Sequence, residues 1–91
     1  MRLIYHKGAL RDLNSIFAYI SNDDPAVANR VVSRIRAVAE LLADSPYLGR
    51  PGRRGARFLS IAGLPYVIIY RIEAESVRIM AIFHTARDRR F

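Results

Sequence analysis

The chain has no cysteine, so neither a disulfide framework nor a thiolate metal site can form, and a cytoplasmic protein is expected. Long apolar runs are also missing. Stretches such as Val67–Tyr70 are far too short to cross a bilayer, and no basic-then-apolar leader precedes the folded pattern. There is no phosphate-cradling glycine loop, no hydrolase elbow and no pair of catalytic carboxylates; Glu73 and Glu75 read as solubilising residues of a turn. The two histidines, His6 and His84, are far apart with no ligand spacing around them, so no metal and no cofactor are expected. Neither a repeat nor a linker interrupts the 91 residues, which form one domain with a single small core.

Lysine is nearly absent too, one residue against 14 arginines, and the net charge is +7. The arginine fork suits phosphates, carboxylates and buried ion pairs, which favours a nucleic acid or an acidic protein over a small neutral ligand. A GC-rich genome would produce the same bias. Apolar residues make up 52% of the chain, which implies either an efficient core or apolar surface that a partner covers.

The centre of the pattern is Arg57–His84, which reads as three strands joined by two tight turns. Tyr66–Ile72 and Val77–Phe83 carry apolar residues at odd and even positions, so both faces of their sheet need cover. Upstream, Arg2–His6 is a short strand that Gly8 breaks. Leu10, Leu13, Ile16 or Phe17, and Ile20 then predict a helix ending near Ser21–Asp24. Asp24-Pro25 opens a second helix, with Val27, Val31, Ile35, Val38 and Leu42 on one stripe, and Asp44-Ser45-Pro46 closes it. The loop between them is short, so the helices form a hairpin over one face. The glycines and proline of Tyr47–Ala56 exclude a regular element there. The expected fold class is α+β, with order β-α-α-β-β-β and the helix hairpin on one face of a curled antiparallel sheet.

Two groups of residues bear on function. Arg50, Arg53, Arg54 and Arg57 meet no acidic residue in their loop, and Arg71, Arg78, Arg87, Arg89 and Arg90 add to the basic set. Such a set can contact nucleic acid, receive an acidic partner, or simply face solvent. His84 ends the last strand as either a general acid or base or a structural hydrogen-bonding group. Tyr66 and Tyr70 share one strand face and are read as core rather than as a base-stacking platform, while Tyr5, Tyr19 and Tyr47 are placed to seal the sheet and hairpin.

The order of these pieces resembles the ParE/RelE superfamily of toxins from type II toxin–antitoxin systems, closer to its ParE-like branch. The resemblance runs through Ala9-x-x-Asp12-Leu13-x-x-Ile16-x-x-Tyr19-Ile20, Asp24-Pro25-Ala26, Pro46…Leu48-Gly49-Arg50, Arg57, Tyr66-x-x-x-Tyr70 and Ile79-x-x-Ile82-x-His84-x-x-Arg87, nearly the whole chain. It implies a single RelE/ParE-like toxin domain over residues 1–91. A ParD-like antitoxin with an acidic C-terminal segment and a DNA-binding N-terminal domain would neutralise it, so operator DNA would be met only through the antitoxin. It also implies DNA gyrase as target, or, for a RelE-like member, mRNA cleavage on the ribosome. On the nuclease alternative Arg57, His84 and Arg87 would be catalytic. The terminal tyrosine of the nucleases has no counterpart, because the tail ends Arg90-Phe91 and phenylalanine cannot exchange a proton. Target binding would fall to Arg50, Arg53, Arg54, Arg89 and Arg90, and antitoxin binding to Leu13, Phe17, Arg71, Arg78, Met80 and Ile82. A third alternative is a non-toxic binding or regulatory module.

Overall fold

A computed structural model describes residues 1–87. Strand β1 (Arg2–Tyr5) leads into helix α1 (Lys7–Ser21), and α2 (Pro25–Asp44) completes the hairpin. Strands β2 (Arg50–Pro51), β3 (Ala56–Ser60), β4 (Tyr66–Ile72) and β5 (Ser76–His84) follow. Both helix starts are capped by side chains. His6 Nδ1 accepts from the Gly8 N–H at 3.0 Å, so Gly8 lies inside α1 instead of separating strand from helix. Asp24 Oδ1 accepts from the Ala26 and Val27 N–H groups at 3.0 and 3.2 Å, with Pro25 at the first helical position as the sequence implied.

The sheet has five strands in the order β1-β5-β4-β3-β2. Strands β2 to β5 pair antiparallel, whereas β1 runs parallel to β5, so the sheet is mixed. The helix hairpin accounts for this. It returns the chain to the start of β1, where the Met1 amino group donates to the Ala43 carbonyl at 3.0 Å. Strand β1 stops opposite Ile79, and α1 continues beside the rest of β5. There the Asp12 carboxylate accepts from the Ile82 N–H at 2.9 Å, occupying a strand-edge donor that has no further strand to pair with. The short β2, against Phe58 and Arg57, and a 3₁₀ turn at Arg53–Gly55 are regular pieces of a loop that was expected to have none.

The core lies between the hairpin and one sheet face: Ala9, Leu13 and Ile16 from α1, Ile35, Ala39 and Leu42 from α2, and Tyr66, Ile68, Tyr70, Val77, Ile79 and Ile82 from the sheet. A bulge near Ile69/Tyr70 shifts the β4–β5 register, and this puts both Ile79 and Ile82 on the core face although they are three residues apart. By alternation, Val67, Ile69 and Arg71 face the other way, opposite Phe83, Ala81 and Arg78. That second face is only half open: Val67 and Phe83 are 3% and 8% exposed within the chain itself.

Candidate functional site

Arg57 and Tyr70 are register partners on β3 and β4, and both serve the loop that follows α2. The Tyr70 hydroxyl donates to the Pro46 carbonyl at 2.7 Å and accepts from the Gly49 N–H at 2.8 Å. Arg57 donates to the Gly49 carbonyl through Nε (3.1 Å) and Nη2 (2.7 Å), and Nη2 also reaches the Tyr47 carbonyl at 3.4 Å. Its guanidinium lies over the Tyr47 ring, 5.1 Å from the centroid. Gly49 is required by this close packing, since a Cβ there would come within 2.6 Å of the Tyr70 hydroxyl and 2.8 Å of the Phe58 carbonyl. A buried tyrosine hydroxyl and a half-buried arginine therefore hold Pro46–Gly49 in one conformation.

The second cluster closes the other end of the sheet. His84 Nδ1 accepts from the Ala86 and Arg87 N–H groups, both at 3.1 Å, and its ring meets the Tyr66 ring edge-on at 5.3 Å. With Nδ1 accepting, the imidazole is neutral and carries its proton on Nε2. Desolvation, and secondarily the Arg87 charge, holds its pKa below the usual histidine value. The Arg87 guanidinium sits 4.0 Å from the centroid of the Tyr19 ring and donates to the Tyr66 hydroxyl at 3.4 Å.

These two clusters are separate. Arg57 is opposite Tyr70 and His84 is opposite Tyr66, on different flanks of β4. That places them roughly 13 Å apart along the strand and about 10 Å across it. Of the residues the nuclease alternative would require, the structure brings His84 and Arg87 together and leaves Arg57 at a distance.

Arg50, Arg53 and Arg54 are exposed, and among the described residues none of them is ion-paired. Arg50 lies over the Phe58 ring at 5.8 Å, and the Arg54 carbonyl accepts from the Arg71 guanidinium. Arg54 has φ of 56°, a left-handed conformation that bends the loop into the single 3₁₀ turn Arg53–Gly55. Arg89 and Arg90 lie outside the described residues.

The residues assigned to a partner divide. Leu13 and Ile82 are 1% and 4% exposed and belong to the chain's own core, which corrects the expectation that they face a partner: the hairpin and sheet bury them against each other. Phe17 is exposed, and Met80, Arg71 and Arg78 are half-buried. Arg71 and Arg78 are register partners, which sets like charges side by side; Arg78 is balanced by Glu73 at 3.1 Å. Tyr19 and Tyr47 do not seal the fold as expected but are largely exposed, each with an arginine on its ring. Nothing in their sequence context separates them from the buried Tyr66 and Tyr70 except their place at a helix end and in a loop. No described helix is long and apolar enough to cross a membrane, and among the described residues no histidine–carboxylate group could hold a metal.

Known proteins resemble this chain over nearly its full length. The sequence model described as "ParE toxin of type II toxin-antitoxin system, parDE" matches residues 3–89. The protein Y4kP of Sinorhizobium fredii is 48% identical over 77 residues, covering 84% of this chain and 79% of its own. Toxin RelE2 of Caulobacter vibrioides is 38% identical over 79 residues, covering 87% and 89%. Among solved structures, the chromosomal ParDE system of P. aeruginosa superposes with a TM-score of 0.82 at 25% identity, covering 92% of this chain and 95% of that one. The RelBE2 complex of Mycobacterium tuberculosis shares the fold, with a TM-score of 0.60 at 24% identity over 91% and 88%. Helix hairpin, mixed sheet and sequence match agree: the chain belongs to the ParE family, toxins of type II toxin–antitoxin systems within the wider ParE/RelE group.

Proposed function

We propose that this toxin acts by binding, with DNA gyrase as its target, and that an acidic, ParD-like antitoxin holds it inactive in the cytoplasm. The observation that carries the proposal is the state of Arg57 and His84, two of its three chemical candidates. Cleaving RNA through its own 2′-hydroxyl needs a base, a cation at the phosphorane and an acid within reach of one phosphate. Here Arg57 and His84 stand at different ends of the sheet, and each is engaged by the chain's own backbone. His84 Nδ1, the nitrogen that would take a proton, already accepts two N–H groups. The ParE family match and the ParDE system among the solved neighbours support the gyrase branch.

The antitoxin follows from charge. With a net charge of +7 and Arg71 directly opposite Arg78 on the half-open face, where only Arg78 has a carboxylate partner among the described residues, an acidic segment would supply further counter-charge. Arg71, Arg78, Phe17 and Met80 are the contacts it would use, and an initially disordered acidic tail folding onto them is physically natural. Operator DNA is then met through the antitoxin.

The test compares two assays on the purified protein. Inhibition of gyrase supercoiling, relieved by antitoxin, is the expected result. Cleavage of mRNA in the ribosomal A site, with supercoiling untouched, would overturn it.

A further inference from the structure

Tyr47 and Leu48 are 71% and 55% exposed, and yet belong to a loop that side chains of the sheet hold on both sides. Pro46 and Gly49 on either side are fixed by Tyr70, and the Tyr47 and Gly49 carbonyls by Arg57. The buried Gly49 lets the loop close onto Tyr70, and the Arg57 guanidinium sets the Tyr47 ring from one side. An exposed loop that only had to connect α2 to the sheet would need none of this. Leu41, in the last turn of α2, is also exposed. The exposed arginines Arg50, Arg53 and Arg54, which form no ion pair among the described residues, follow directly in sequence.

Resting on the proposal that the toxin acts by binding gyrase, we infer that Tyr47–Leu48 is its docking knuckle, inserted into an apolar socket rimmed by carboxylates on a folded target protein. Three features choose that occupant. Tyrosine and arginine are among the residue types most enriched in binding hot spots, and here Tyr47 carries Arg57 on its ring. The loop arginines have no acidic neighbour in the loop, so they call for acidic groups on the other side. A pre-ordered protruding loop fits a pre-formed socket, whereas a disordered acidic tail wraps grooves and sheet edges. Arg57 is then a positioning residue: it shapes the knuckle and does not itself carry chemistry.

The test uses the full-length toxin and the variants Leu48→Glu and Tyr47→Ala, immobilised and titrated with purified DNA gyrase, and in parallel with the antitoxin. Both side chains are exposed, so thermal unfolding should be nearly unchanged. Gyrase affinity is expected to fall at least tenfold for Leu48→Glu and about tenfold for Tyr47→Ala. Antitoxin affinity should hold within about twofold, and wild-type gyrase binding should weaken with added salt. Gyrase binding by both variants within twofold of wild type overturns the inference. So does an equal loss towards the antitoxin, which would assign the loop to that partner. So does a Tyr47→Ala defect confined to 70S ribosomes, which would make the ring an RNA-stacking platform. Failure of the wild-type protein to bind gyrase overturns the underlying proposal instead, and is seen before any variant is compared.

Discussion

Arg57 and Tyr70 face each other across β3 and β4 and converge on one loop, the arginine on its carbonyls and the tyrosine on both a carbonyl and an N–H. An arginine that resembles a catalytic residue in sequence thus works here as part of a brace. The Tyr70 hydroxyl is the sharper element, because it sits in the core and satisfies two backbone groups at once.

Tyr70→Phe removes that hydroxyl with little change in volume and leaves the buried Gly49 N–H without its partner. The expected cost is about 2 kcal/mol of folding stability, read from urea unfolding with an unchanged denaturant slope. A cost near zero would mean that the Gly49 N–H finds water easily and that the loop is not braced from the core.

Arg57→Lys keeps the charge and loses the planar fork that reaches two carbonyls. Stability should drop by about 1 kcal/mol. Amide exchange at Leu48 and Gly49 should accelerate well beyond what that loss explains, because the opening is local to the loop. Measured by NMR, unchanged exchange at these two positions would show that Tyr70 alone orders the segment.

Asp12→Ala tests the junction where α1 takes over from β1. It leaves the Ile82 N–H without an acceptor at the edge of β5. We expect a loss of about 1–2 kcal/mol and faster exchange of the Ile82 amide, with Asp12→Asn recovering part of both.

His84 supplies a pH dependence whose direction follows from its environment. Desolvation and Arg87 depress its pKa from the ordinary 6.5. As pH falls, the unfolded chain takes up its proton first, so the contribution to stability is complete above that value. It is lost as pH falls through the folded-state pKa. Protonation at Nδ1 also ends its two hydrogen bonds to Ala86 and Arg87. The decline should be shallow because the residue is near the surface. His84→Asn, whose side-chain oxygen can still accept, should flatten it in melting curves taken between about pH 7.5 and about pH 5.

Most of the fold was legible in the residues, for reasons that are local. The Asp24-Pro25 start, the stripe Val27, Val31, Ile35, Val38 and Leu42, and the β-branched runs of β4 and β5 each encode a period and a boundary that neighbours in sequence can express. The direction of β1 was not legible. Four residues alternate in the same way whether their partner runs parallel or antiparallel, and only the return of the helix hairpin to Met1 decides it. The β5 bulge, which moves Ile82 onto the core face, was hidden for a similar reason: a register shift depends on two strands at once.

What the sequence by itself determined is the inventory: an arginine-rich, cysteine-free chain with a helix hairpin, a three-strand block and the family to which they belong. Tertiary structure alone decided what the polar side chains do. Arg57, a candidate for chemistry, became a brace once β3 and β4 set it opposite Tyr70 and beside the loop. Leu13 and Ile82 turned inward when helix and sheet met, and Tyr19 and Tyr47 turned outward. Spacing along the chain reports the period of a helix or strand. Whether a side chain ends against its own backbone or in front of a partner depends on elements far apart in sequence, and folding alone brings those together.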